Sequence, residues 1–99
     1  MALRVKVSAR AAVQINKAAE WGSENRSSAP GAVRHDMGEA LLLVAEQPGL
    51  GSPYSGTKTT GVRRLLVGRI RYFIYDRATP NTLDVLAVRH VSRGKQPVL

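Results

Sequence analysis

The chain has 99 residues, of which 43% are hydrophobic, and a formal net charge of +8 at pH 7. This length suits one domain over 1–99, and the apolar fraction excludes wholesale disorder. The chain has no cysteine, which excludes disulfides, cysteine-based zinc sites and thiol nucleophiles. The longest apolar run covers only 40–45, against the ~20 residues of a membrane-spanning helix. Arg4 and Lys6 interrupt the stretch where a signal peptide has its apolar block, so we expect a cytoplasmic domain without membrane contact.

The positive charge is concentrated in the second half of the chain. Residues 1–50 contain six basic and five acidic side chains, whereas residues 51–99 contain nine basic and two acidic ones. Eleven of the fifteen basic residues are arginines, which favour planar, bidentate contacts with phosphate or carboxylate groups. The asymmetry predicts a basic surface for nucleic acid or an acidic protein, although charge of this kind can also serve solubility alone.

The first half predicts a strand followed by two helices. Leu3, Val5 and Val7 alternate with basic residues as in a strand with one buried face. Ser8 is suited to cap a helix over 9–25. The apolar stripe of that helix would contain Ala12, Ile15, Ala19 and Gly22, with Trp21 at its edge.

A second helix is predicted over 30–47, with Pro30 in its first turn and Pro48 and Gly49 ending it. Its apolar residues recur at helical spacing, namely Val33, Met37, Ala40, Leu41 and Val44. Two such helices form a hairpin whose shared apolar stripe needs a sheet to cover it.

The second half predicts a loop over 49–61 and three strands, over 62–67, 69–77 and 82–91. In the middle strand Ile70, Tyr72 and Ile74 share one face, while Phe73 and Tyr75 lie on the other. Apolar residues on both faces indicate an interior strand. The predicted fold is α+β with the order β-α-α-β-β-β, a helical hairpin on a small, mostly antiparallel sheet.

No enzymatic motif emerges from the remaining residues. The glycine-rich loop follows a helix instead of opening one, so it does not fit a nucleotide-binding loop. His35 and His90 lie on different elements without further ligands, so neither predicts a metal site. His90 stands between Arg89 and Arg93, where it can serve as an acid or base or simply bind a partner. Asp76 and Asp84 occur in arginine-rich strands and are predicted to pair with those arginines.

The arginines of the predicted sheet are the candidate binding residues. Alternation along the strands divides them between two faces. We expect Arg69, Arg71 and Arg77 on one face, joined by either Arg63 or Arg64 and interleaved with Phe73 and Tyr75. Such a surface suits RNA or an acidic protein, and the alternative is an ordinary solvated sheet face.

The order of these elements resembles the ParE branch of the RelE/ParE superfamily, the toxins of bacterial toxin–antitoxin systems. The resemblance spans nearly the whole chain. It rests on Ala11, Ala12, Ile15, Ala18, Ala19 and Trp21, then Asn25-Arg26, the turn at 48–51, and the segments 61–66, 71–75 and 86–93. It implies a helical hairpin packed on a mostly antiparallel sheet, and a toxin of the plasmid-stabilisation type without a cofactor. It also implies an antitoxin with an acidic C-terminal segment that forms a hetero-oligomer with the toxin.

Two activities occur in the superfamily, and the resemblance leaves both open. ParE-like members inhibit DNA gyrase by binding it, whereas RelE-like members cut mRNA on the ribosome without a metal. We favour gyrase, because position 91 is apolar and no tyrosine follows Arg93. A nuclease would use Arg64, Arg71, His90 and Arg93. Residues predicted to contact the target or the antitoxin are Arg63, Arg64, Arg69, Arg71, Arg89, His90 and Arg93. A third possibility is an inactive member that only binds an antitoxin.

Overall fold

The computed structural model of the protein describes residues 2–25 and 31–92. Two helices pack against one face of a five-stranded sheet with the strand order β1-β5-β4-β3-β2. Strand β1 runs parallel to β5, and the other pairs are antiparallel. The elements are β1 (Arg4–Val7), α1 (Ala9–Asn25), α2 (Ala32–Glu46), β2 (Ser52–Pro53), β3 (Val62–Val67), β4 (Tyr72–Ala78) and β5 (Thr82–His90). The predicted α+β fold, a helical hairpin on a mostly antiparallel sheet, is confirmed.

Helix α1 begins where the sequence predicts. The Ser8 hydroxyl accepts the backbone N–H of Ala11 at 3.0 Å, which satisfies one of the unpaired donors of the first turn. The same hydroxyl donates to the Leu86 carbonyl at 3.1 Å, so the start of the helix is tied to β5. The predicted apolar stripe needs one correction, because Ala12 is exposed and Ala11 is buried in its place.

Helix α2 buries the predicted stripe, with Val33, Met37, Ala40 and Val44 in the core and Leu41 packed at its edge. Pro30, the predicted first residue, lies outside the described residues. The two helices approach closely at Gly22, where a Cβ would lie 2.8 Å from a Val33 methyl carbon. Within residues 2–25 and 31–92, neither helix combines the length and apolar character that a bilayer span needs.

Two predicted boundaries are wrong. Ser52–Pro53, placed in a loop by the sequence, forms the short edge strand β2 against β3. The strand predicted to start at Arg69 starts at Tyr72, because residues 68–71 form a turn. In this turn the Arg71 N–H donates to the Val67 carbonyl at 2.9 Å. Arg71 has a φ of 63°, in the left-handed region that strand residues do not adopt.

The two faces of the sheet have different environments. The helix-facing side contributes Ile70, Ile74, Val85 and Val88 to the main core, together with the buried stripes of both helices. The other side, here called the outer face, is formed by Val62, Arg64, Leu66, Phe73, Tyr75 and Ala87. The predicted division of β4 is confirmed, since Tyr72 and Ile74 pack toward the helices while Phe73 and Tyr75 lie on the outer face.

Candidate functional site

Arg64 is the cation that joins the aromatic residues of the outer face. It stands opposite Tyr75 in the register of β3 and β4, and the sequence left open whether Arg63 or Arg64 would do so. Its guanidinium carbon lies 4.2 Å from the ring centroid of Phe73 and 5.3 Å from that of Tyr54. These distances are within the range of cation–π attraction. The outer face therefore combines aromatic rings with a positive charge, as the sequence predicts.

We expect Arg64→Leu to lower the free energy of unfolding by about 1–2 kcal/mol, because two ring contacts are lost. Arg64→Lys should lose less, since it keeps the charge but not the planar stacking. Urea unfolding of the two variants measures the difference, with Arg4→Leu, an exposed arginine of β1, as the control. A leucine variant as stable as the original protein would show that the ring contacts contribute nothing.

Arg63 lies on the other side of the sheet and holds the loop that follows α2. It donates to the Gly51 carbonyl at 2.7 Å and approaches the Gly49 carbonyl at 3.4 Å. A side chain at Gly51 would be crowded, because a Cβ there would lie 3.0 Å from the Arg64 carbonyl oxygen. These hydrogen bonds give Arg63 a structural part in holding β2 against β3, in addition to any binding part predicted for it.

Asp76 is the one buried charged residue of the described chain, with 0% of its surface exposed. It stands opposite Arg63 on β3 and Val85 on β5, which places it on the helix-facing side. Neither of its carboxylate oxygens has a hydrogen-bond partner among the described residues, so the predicted pairing with an arginine is wrong. Burial raises the pKa of Asp76 from 3.8 to about 6, against the nearby Arg63 charge, which lowers it.

Asp84 behaves as the sequence predicts. Its carboxylate lies 3.9 Å from the Arg77 guanidinium and accepts the Thr82 hydroxyl at 3.0 Å. Arg77 stands opposite Val62 of the outer face, and its positive charge is partly neutralised by Asp84. The contribution of this half-exposed pair to the basic surface is smaller than that of an unpaired arginine.

Arg69 is directed away from the outer face and toward α2. Both ends of its guanidinium bind the Asp36 carboxylate, with a distance of 2.7 Å from Nε to Oδ2. This hydrogen bonding raises the pKa of Arg69 above its ordinary value. The expectation that Arg69 shares a face with Phe73 and Tyr75 is therefore wrong, because Arg69 lies in a turn whose conformation does not follow strand alternation.

Arg71 is exposed at the end of the same turn, and hydrogen bonds hold both its N–H and its carbonyl. Its N–H donates to Val67, its carbonyl accepts the N–H of Val91 at 2.9 Å, and the preceding Ile70 is buried in the core. Arg71 is therefore displayed next to the end of β5. It is not on the strand side that the sequence assigned to it.

His90 and Arg89 end β5 on opposite sides of the sheet. His90 stands opposite Tyr72, with the two rings edge to face at 5.1 Å, whereas Arg89 stands opposite Phe73. By the same register Arg64 and His90 point to opposite faces, so the structure does not bring together the residues predicted for a nuclease. Arg93, also predicted for both sites, lies outside the described residues.

A cleft of about 590 Å³ opens between α1 and the end of the sheet where β4 begins and β5 ends. We call it the α1 cleft; its walls are Gln14, Lys17, Ala18, Trp21, Tyr72, Val88, Arg89, His90 and Ser92. Of these lining residues, only His90 and Arg89 are among the binding residues predicted from the sequence. The spacing of Gln14, Lys17 and Trp21 at i, i+3 and i+7 marks one flank of a helix, but nothing in the sequence says that β5 lies across from it.

The remaining chemistry of the described residues is limited. No group of three or more histidine, aspartate or glutamate side chains in residues 2–25 and 31–92 is placed to hold a metal ion. Tyr54 packs edge to face on Tyr75 at 5.1 Å and covers one end of the outer face. From the sequence it was predicted only to lie in the 49–61 loop, with no function assigned. The candidate surfaces are therefore the outer face around Arg64, the turn at Arg71 and the α1 cleft.

No family model and no curated protein matches this chain. Among solved structures it is similar to a chain of the "Chromosomal ParDE TA system from P. aeruginosa". The identity is 18%, and the match covers 91% of this chain and 97% of the other with a TM-score of 0.71. This chain therefore has the fold of a component of a ParDE toxin–antitoxin structure, which confirms the fold implied by the resemblance to ParE-like toxins.

Proposed function

We propose that this chain is the toxin of a type II toxin–antitoxin system that binds and inhibits DNA gyrase. The fold match to the ParDE structure over nearly the full length of both chains is the observation that carries the proposal. The resemblance of segments 61–66, 71–75 and 86–93 to ParE-like toxins supports it independently of the fold match. Because gyrase acts on chromosomal and plasmid DNA, this function places the protein in the cytoplasm.

The proposed antitoxin carries an acidic C-terminal segment that wraps the toxin. Two features of this chain suit such a partner. Its net charge of +8 attracts an acidic segment over a distance. Leu42 and Leu43 on α2 are 66% and 46% exposed, which leaves apolar surface on the hairpin for a partner to bury.

An mRNA endoribonuclease is the second candidate. One observation favours it: the hydrogen bond from Val91 to Arg71 brings Arg71 to the same end of the sheet as His90. The position of Arg64 on the opposite face counts against it, because a phosphodiester bond must be held by converging groups. The third candidate is a chain that only binds an antitoxin, and it would use the same antitoxin-binding surfaces as the gyrase inhibitor.

The test measures supercoiling of relaxed plasmid by purified gyrase, with and without this protein, beside a cell-free translation reaction in which the message is examined for cuts. We expect lost supercoiling or trapped cleaved DNA, with the message intact. An excess of the antitoxin should restore supercoiling.

Cut message with normal gyrase would replace the gyrase proposal with the ribonuclease one. Normal gyrase and an intact message, with tight antitoxin binding, would identify the chain as a binder without these two activities. Arg4→Ala, which alters an exposed arginine on β1, serves as the matched control for arginine variants at the proposed surfaces.

A further inference from the structure

The α1 cleft is a second site, separate from the outer face around Arg64. Its volume of about 590 Å³ lies within the range of small-molecule sites. Helix α1 forms one wall, and the paired ends of β4 and β5 form the other. Both walls rest on the main core through Ala18 and Val88, so the cleft is part of the folded framework.

The polar groups on its walls are arranged as donors. The side-chain oxygen of Gln14 accepts the backbone N–H of Val88 at 2.9 Å, which leaves its amide NH₂ to donate. The Nδ1 atom of His90 accepts the backbone N–H of Ser92 at 3.2 Å. A neutral histidine that accepts at Nδ1 carries its proton on Nε2, so this nitrogen also donates.

The charge of the cleft has one sign. Lys17 is cationic, and none of the described residues that line the cleft is acidic. The backbone of Arg71 lies next to this end of the cleft, because its carbonyl accepts the backbone N–H of Val91, between the lining residues His90 and Ser92. A cleft that offers donors and positive charge without a carboxylate favours an anion.

Aromatic rings give the cleft a second preference. Trp21 is 51% exposed at its mouth, and Tyr72 is half-buried beside His90. Indole and phenol faces bind planar rings such as nucleobases by stacking. A peptide carboxylate would pair with Lys17 without contacting these rings, whereas a ligand with both a phosphate and a base would contact both the charge and the rings.

We propose that the α1 cleft binds a nucleoside phosphate, with the base against Trp21 and Tyr72 and the phosphate held by Lys17, the Gln14 amide and His90 Nε2. The ligand is either a free nucleotide or the phosphorylated end of a nucleic acid strand, which present the same chemistry. This site does not depend on the toxin function, and its test uses neither gyrase nor the ribosome.

The test uses the indole N–H resonance of Trp21 in the ¹H–¹⁵N spectrum of the full chain. This is a single-site reporter, because the chain has one tryptophan. The titrants are AMP, adenosine, ribose 5-phosphate, a short oligonucleotide with and without a 5′-phosphate, and a glutamate-rich peptide. We expect AMP or the 5′-phosphorylated oligonucleotide to move the signal in a saturable way, and adenosine and ribose 5-phosphate to bind at least about tenfold more weakly.

Lys17→Gln should weaken this binding at least about fivefold, because a charge-assisted contact with phosphate is lost. Lys6→Gln, an exposed lysine of β1 outside the cleft, should leave it unchanged. Stronger binding of AMP than of the oligonucleotide assigns the site to free nucleotides, and the reverse order assigns it to strand ends. An indole signal unmoved by both, binding equally sensitive to the Lys17 and Lys6 changes, or a response to the peptide alone would overturn the proposal.

Discussion

Replacing Asp76 by asparagine is expected to abolish a loss of about 2–3 kcal/mol in the free energy of unfolding, which Asp76 causes in the original chain between pH 4 and pH 7. The reason is the burial of a carboxylate whose two oxygens have no hydrogen-bond partner among the described residues. Burial raises its pKa from 3.8 to about 6, so the folded protein binds this proton more tightly than the unfolded chain does.

The direction of the pH effect follows from that difference. Below about pH 3 both states hold the proton, and Asp76 imposes no ionisation cost. As the pH rises from 4 through 6, the unfolded chain loses the proton first, so the free energy of unfolding falls. Above about pH 7 both states are ionised and the loss is complete. Asparagine does not titrate, so the variant lacks this fall.

Urea unfolding of both proteins at intervals from pH 4 to pH 8 measures the effect. The difference between the two curves isolates Asp76 from the other carboxylates, which titrate in both proteins. Asp84→Asn, which changes a half-buried carboxylate that has partners, should retain the fall of the original chain. If the asparagine variant does not fold, Asp76→Val provides the same comparison. Parallel curves for the original chain and the variant would contradict the assignment.

The parts of the fold that the sequence predicted are those in which local pattern and burial coincide. The α2 stripe from Val33 to Val44 has helical spacing, and the whole stripe packs on the sheet. The Ser8 cap is also a local feature, since one side chain satisfies a backbone donor three residues away. The alternation at Tyr72, Phe73, Ile74 and Tyr75 reported the two faces of an interior strand correctly.

The sequence predictions are wrong where a tertiary contact, and not the local pattern, determines the conformation. Ile70 is buried like a strand residue, so alternation extended the predicted β4 back through a turn. Arg69 then binds Asp36, 33 positions earlier in the chain, which no local pattern indicates. The α1 cleft was not predicted for the same reason, because Lys17 and His90 line one cavity only when β5 lies beside α1.

The turn at Arg71 combines conformational strain with a candidate function. A left-handed φ of 63° is unfavourable for a side chain with a Cβ, and glycine or asparagine is the usual choice there. Arginine at this position is exposed, and its backbone lies beside residues that line the α1 cleft. Strained residues persist where surrounding contacts hold them, and they are frequent at functional sites.

Comparing Arg71→Gly with Arg71→Ala separates the effect of backbone strain from the effect of losing the guanidinium. Both variants remove the guanidinium, but only glycine relieves the left-handed strain. We expect the glycine variant to be more stable than the alanine variant by about 1 kcal/mol in urea unfolding. If the toxin function proposed above is correct, both should lose growth arrest in cells to the same extent, while Arg4→Ala retains it. Equal stability of the two variants would refute the strain, and growth arrest that survives in either would remove Arg71 from the target-binding surface.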